Sequence, residues 1–268
     1  MKTGISTASL FGRFFTEDAL KFLSDNKVKT AEVFLESYGE YTEEFGKILK
    51  EKKGDTEVHS VHTLTTQFEP QLYSLNKRAK DDSFALLKST MACAKEVGAK
   101  YYTFHGGARF KRIETALNYD KVGKETQDII DVCAEYGVSL AYENVHWGYY
   151  NHVGFFTEMK KRTHGLKGTF DIKQARLSGD PLEGYINEMG SAIVTAHLSD
   201  VRADGSMCLP FSKDGITDFT EVLSRLNDVG FDGAILLEVY KNDFKEFPEL
   251  FDSLDKLNYT AKKVFSAK

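Results

Sequence analysis

Short apolar or β-branched runs recur along the chain at TGIST (3–7), TAEVFLE (30–36), EVHSVHTL (57–64), KYYTFHG (100–106), VSLAYENV (138–145), KGTFDIK (167–173), AIVTAHLSDV (192–201) and GAILLEVY (233–240). Between them the apolar positions shift to helical spacing. Over residues 83–100, Phe84, Leu87, Met91, Ala94 and Val97 share one helical face, and Gly98 stands where a left-handed cap is wanted. Residues 118–137 repeat the device with Val122, Ile129, Val132 and Cys133 before Gly137, and residues 218–230 with Val222, Leu223 and Leu226 before Gly230. Helix–glycine–strand joints of this kind are the αβ connections of a βα repeat. Eight such strands alternating with helices predict a (β/α)8 TIM barrel, one domain over residues 1–268. A doubly wound open sheet shares the alternation, but TGISTASLFG after the first strand lacks the GxGxxG fingerprint. The barrel is favoured.

Composition narrows the partners more than the fold. With 41% hydrophobic and 28% charged residues the chain has an ordinary core-forming balance. Its net charge of −5, without a Lys/Arg block, weighs against nucleic acid as a partner. No 18-residue apolar run offers a membrane span, and MKTGISTASLFGRFF lacks the apolar centre of a signal peptide. Cys93, Cys133 and Cys208 form an odd, scattered set that fits a reducing compartment. A cytoplasmic protein with no membrane partner is expected; a homo-oligomer stays open.

Barrel enzymes carry their reacting groups where strands end and loops open one face. Here the third predicted strand ends near His62, the fourth at His105, the fifth at Glu143, the sixth at Asp171, the seventh at His197 and the eighth at Glu238. Side chains alternate along a strand, so Glu143 shares a face with Ala141, Asp171 with Thr169 and Lys173, His197 with Thr195, and Glu238 with Leu236. Isolated carboxylates among such neighbours are costly to ionise without a cation or a proton. Three carboxylates and an imidazole converging from adjacent strands predict a site for one divalent ion. Oxygen-rich ligation suits Mn²⁺ or Mg²⁺, and the histidine keeps Co²⁺ and Zn²⁺ open. One such acid alone reads as a strand-end salt bridge; six polar positions at the same end of consecutive strands read as a metal or catalytic centre. His62 and His105 carry the further alternative of satisfied core histidines.

The ordered set Glu143 (AYENV), Asp171 (TFDIKQ), His197 (TAHLSDV) and Glu238 (LLEVY) resembles the xylose-isomerase-like barrel superfamily over nearly the whole chain. That superfamily includes ketose 3-epimerases, inosose dehydratases, hydroxypyruvate isomerases and endonuclease-IV-type barrels. The resemblance implies that the quartet holds one divalent ion and that Glu143 and Glu238 also exchange the proton of a carbohydrate substrate through a metal-stabilised enediolate. Trp147, in HWGYY, offers a ring for a sugar face, with loop packing as the alternative. Lys173 offers a charge to polarise a carbonyl, with a loop-end ion pair as the alternative. Three positions depart from the common pattern. Gln174 stands where relatives often carry a histidine, Cys208 stands in a second such place, and Arg202 lies slightly out of register with the arginine of ketose 3-epimerases.

The leading expectation is a metal-dependent isomerase or epimerase of a sugar or sugar phosphate, with His62, His105, Trp147, Lys173, Gln174 and Arg202 as substrate-binding candidates. A metal-dependent dehydratase or lyase on a keto-polyol uses the same first step. An endonuclease-IV-like zinc hydrolase is the third reading, to which His62, His105 and Glu143 would contribute a metal position. A sugar-binding barrel without turnover is the fourth.

Overall fold

The computed structural model describes residues 1–64, 67–109 and 117–266. Seven of the predicted strands appear in order as β1 (Lys2–Ser6), β2 (Thr30–Leu35), β3 (Glu57–Thr63), β4 (Tyr101–Phe104), β5 (Ser139–Glu143), β6 (Lys167–Asp171) and β7 (Ile193–Leu198). A short antiparallel hairpin follows, β8 (Asp200–Val201) with β9 (Met207–Cys208), and β10 (Ala234–Leu237) is the last strand. The seven and β10 close a parallel barrel in which β10 lies between β7 and β1. The expected (β/α)8 barrel is therefore the observed fold.

Around it run α1 (Thr16–Asp25), α2 (Glu43–Lys52), α3 (Lys77–Val97), α4 (Tyr119–Glu135), α5 (Phe155–Lys160), α6 (Ile172–Ser178), α7 (Leu182–Met189), α8 (Phe219–Asp228) and α9 (Phe247–Phe265). The strands are buried on both faces, β2 and β7 at every residue, because helices cover the outside and the lumen is filled. Where α1 meets α9, Phe22 packs on Phe14 and Phe247 with ring centroids 5.0 and 4.8 Å apart. Among the described residues no helix is long and apolar enough to cross a membrane. All three cysteines are buried free thiols.

The lumen is unusually polar. Ser6, Glu32, Ser60, Thr103 and Thr169 are all fully buried. Ser60 Oγ and Thr103 Oγ1 each donate to Glu32 Oε2 at 2.7 Å, and Ser6 Oγ donates to Oε1 at 3.3 Å. Lower in the barrel, His59 reaches from β3 across to β7, where Nε2 meets Val194 O at 3.0 Å and Thr195 Oγ1 at 3.2 Å. Burial lowers its pKa, which marks a core histidine that favours the neutral form, anchored through Nε2. β1 approaches β2 so closely that a Cβ on Gly4 would lie 1.8 Å from Thr30 O.

Several strands end before the runs read from the sequence, and two of these endings bear on the site. The run expected over 192–201 breaks after Leu198, and Asp200–Val201 belong to the hairpin instead. KGTFDIK is β6 only as far as Asp171, whose Oδ1 accepts the Gln174 N–H at 2.7 Å and so caps α6. An aspartate that satisfies a free N–H of the first turn ends the strand and starts the helix. Lys173 and Gln174 are thus helical, and Lys173 does not share a strand face with Asp171.

Candidate metal centre

Glu143 ends β5, Asp171 ends β6, His197 is the penultimate residue of β7, and Glu238 directly follows β10, with its N–H held by Leu198 O at 3.0 Å. These four strands are neighbours in the barrel, so the donors form an arc at one mouth. Exposure is only 2% for Glu143 and Asp171, 1% for His197 and 8% for Glu238. One ligand atom from each lies within 4.8 Å of the others. His197 Nδ1 faces Glu143 Oε1 at 3.0 Å, Glu238 Oε2 at 3.4 Å and Asp171 Oδ2 at 3.8 Å. Its Nε2 turns the other way, to Glu32 Oε1 at 2.9 Å.

Charge is concentrated here. Burial alone would raise the Glu143 carboxyl, but His197, His105 and His62 outweigh it and lower the pKa to about 2. Asp171 goes the other way, to about 6, because burial and the charges of Glu143 and Glu238 outweigh Lys173 and His197. Burial opposes protonation of His62 and His197, yet the surrounding carboxylates win. His62 rises to about 9, through Glu32, Glu238 and Glu143, and His197 rises well above its ordinary value. The cluster demands positive charge, and the imidazoles supply it.

A second set of side chains borders the quartet. His62 and His105 place their Nε2 atoms 2.7 Å apart, and His105 Nε2 lies 3.2 Å from Glu143 Oε2. His105 Nδ1 donates to Glu69 Oε2 at 2.9 Å, and Glu69 also accepts from the His105 N–H at 3.0 Å, from Thr63 Oγ1 at 3.1 Å and from the Tyr102 hydroxyl. The Trp147 ring lies 5.7 Å from that of His105. Lys173 is 6% exposed; its Nζ donates to the Tyr240 hydroxyl at 3.3 Å and sits 4.3 Å over that ring. Burial disfavours the ammonium, but Asp171, Glu238 and Tyr240 keep it charged and raise its pKa. Gln174 Oε1 is occupied by His146, accepting from Nδ1 at 2.6 Å and from its N–H at 3.3 Å. Arg202 is committed elsewhere, to Asp214, to Ser206 Oγ and to Met207 O around the hairpin. The structure therefore brings His62 and His105 to the quartet and places Lys173 beside it, while Gln174 serves His146 and Arg202 serves the hairpin.

Glu32, Glu69 and Asn144 are the site residues that sequence patterning missed. Asn144, fully buried, bridges to the next strand, its Nδ2 donating to Asp171 O at 2.8 Å and its Oδ1 accepting the Asp171 N–H at 2.9 Å. Asn144→Ala leaves both backbone groups unpaired, so it is expected to cost about 2 kcal/mol. Urea unfolding of the variant beside the parent measures this, and a loss below about 0.5 kcal/mol would contradict the bridge's importance.

Comparisons with known proteins agree with the geometry. A family model described as a xylose isomerase-like TIM barrel matches residues 20–260. A D-tagatose 3-epimerase-like protein superposes with a TM-score of 0.80 at 18% identity, covering 98% of each chain. D-psicose 3-epimerase from Clostridium cellulolyticum H10, solved with D-tagatose, gives 0.75 at 14% identity over 99% of each chain. The probable 3-DHS dehydratase of Bacillus anthracis gives 0.72 at 14% identity, over 96% of this chain and 99% of that one. No curated protein matches the chain. At these identities the structural likeness establishes a shared barrel. The family match covers most of the sequence, and the protein belongs to the xylose isomerase-like TIM barrel family.

Proposed function

We propose that the protein is a divalent-metal-dependent isomerase or epimerase of a sugar or sugar phosphate, with Glu143, Asp171, His197 and Glu238 as the metal ligands. The observation that carries this reading is the four-donor arc itself. Three buried carboxylates and one imidazole suit a hard or borderline cation, and Glu238 Oε2 is buried without a hydrogen-bond partner among the described residues. Mn²⁺, Mg²⁺ and Co²⁺ fit best, and Zn²⁺ is compatible.

When bound, the ion supplies Lewis acidity to a carbonyl and its neighbouring hydroxyl, which acidifies the C–H between them. The chain's own residues do the rest. Glu143 and Glu238 stand at the two ends of the arc, flanking β6 and β7. A carboxylate on either side of a ketose can take the proton at one face and return one at the other. Lys173 has N–H donors beyond the one given to Tyr240 and would hold a substrate oxygen. His62 and His105 would contact the substrate from the opposite side of the mouth, and Trp147 would cover a sugar face. Gln174 would act through His146, and Arg202, held by Asp214, has no part in this proposal. The ketose epimerases and the dehydratase among similar folds lend support to carbohydrate chemistry.

The test is metal analysis of the purified chain, followed by exchange in D₂O across ketoses, keto-acids and their phosphates. One divalent ion per chain and deuterium at the carbon beside the carbonyl are expected. Neither ion nor exchange would sink the reading. Product lighter by one water would move it to the dehydratase class, and several zinc ions with cleavage of abasic DNA to the endonuclease class.

A further inference from the structure

We propose that Glu32 is a positioning residue for the metal centre: its carboxylate holds the Nε2 edge of His197 against the barrel floor, so that Nδ1 faces Glu143, Asp171 and Glu238. This rests on the metal reading above. Only one imidazole nitrogen can ligate the ion shared with the three carboxylates, and the distances assign Nδ1, at 3.0, 3.4 and 3.8 Å from them. The other nitrogen needs something to fix the ring, and the group against it is Glu32 Oε1 at 2.9 Å. The N–H is not aimed along this contact, as Nε2 has no aligned hydrogen-bond acceptor, so Glu32 backs the polarised N–H edge of the ring electrostatically at short range.

Glu32 is itself tightly constrained. It is fully buried on β2, far from solvent, where an unpaired carboxylate would be prohibitively costly. Ser60 and Thr103 orient Oε2, which leaves Oε1 turned to His197, with Ser6 Oγ at 3.3 Å and His62 Nδ1 at 3.4 Å as its other neighbours. Carboxylates that back a metal-ligating histidine commonly govern affinity by about 10–100-fold. None of the four strand-end ligands plays this part.

Glu32→Gln keeps the shape and removes the charge. Mn²⁺ affinity, measured by calorimetry on the full chain, is expected to fall about 10–100-fold, with the metal-free melting midpoint read beside it to separate lost folding from lost affinity. The visible spectrum of the Co²⁺-loaded variant should shift from that of the parent, which a purely structural loss would not produce. Should Glu32→Gln fail to fold, the pair Ser60→Ala and Thr103→Val leaves the charge but frees the carboxylate, and affinity should drop severalfold. Parent-like affinity and an unshifted Co²⁺ spectrum in Glu32→Gln would overturn the inference. Unchanged affinity in the fallback pair would also overturn it. A parent chain that binds no divalent ion overturns this inference and the metal reading together, whereas tight binding by parent and Glu32→Gln alike removes only the role of Glu32.

Discussion

Glu143→Gln and Glu238→Gln are each expected to lower epimerisation by about 10²–10⁴-fold, and to do so asymmetrically. Each substitution removes one of the two carboxylates that flank the arc while keeping its volume. A variant left with one working carboxylate still takes the proton from the face that carboxylate addresses, and returns a solvent proton to the same face. Glu143→Gln should therefore wash deuterium into one epimer without converting it, and Glu238→Gln into the other. Both substitutions also replace an anionic member of the proposed ligand set by a neutral one, so exchange has to be followed at saturating metal to separate lost affinity from lost proton transfer. NMR of each purified epimer in D₂O, variant by variant, reads the result. Full conversion by both variants would remove the two glutamates from the acid/base role.

Gly4→Ala carries the largest expected effect on stability, about 3 kcal/mol or more, with the melting midpoint lowered by roughly 6–12 °C. A Cβ there would meet Thr30 O at 1.8 Å and Thr30 C at 2.6 Å. Both are backbone atoms, so no rotamer change relieves the clash, and β1 has to move away from β2. The pairs Ile5↔Ala31 and Ser6↔Glu32 lie directly beyond. Their separation would also displace Glu32, so metal affinity should fall with the stability. Thermal unfolding and metal titration of the same sample check both, and a loss below about 1 kcal/mol would show that the barrel yields more readily than packing implies.

Much of the fold was legible because its signals are local. Each apolar run is short, each is followed by a helical pattern, and several helices end at glycine. Gly98, Gly137 and Gly230 do have φ near +80°, at 86°, 74° and 78°. The quartet was legible for a similar reason, since an acid or a histidine that interrupts an apolar strand is conspicuous along the chain itself. Glu32 was not. In TAEVFLE it looks like any outward position of an alternating strand, and only closure of the barrel sets it against His197, 165 residues away in sequence. Glu69 was hidden at the start of a short 3-10 helix and is defined by Thr63 on β3, Tyr102 on β4 and His105 just beyond it. The ending of β6 lies between these cases. The apolar period does not separate a strand from a strand that turns into a helix, yet Asp171 and Gln174 have the spacing of an N-cap and the third helical position. That signal was present and weaker than the strand pattern around it.

The pairing of β1 with β10 has a consequence for how the chain reaches this state. It joins Lys2 to Ala234 and Ile5 to Leu237, near opposite ends of the sequence. During synthesis β1 can pair with β2 early, but its other edge exposes unpaired backbone until the last strand has been made. Contacts of such long range make closure a late and slow step. Glu238 follows β10 directly, so the same step that seals the barrel delivers the fourth member of the quartet. An open, half-wound chain holds at most three of the four donors. Any ion that needs all four would thus discriminate the closed barrel from its unfinished precursors, and would draw folding toward closure.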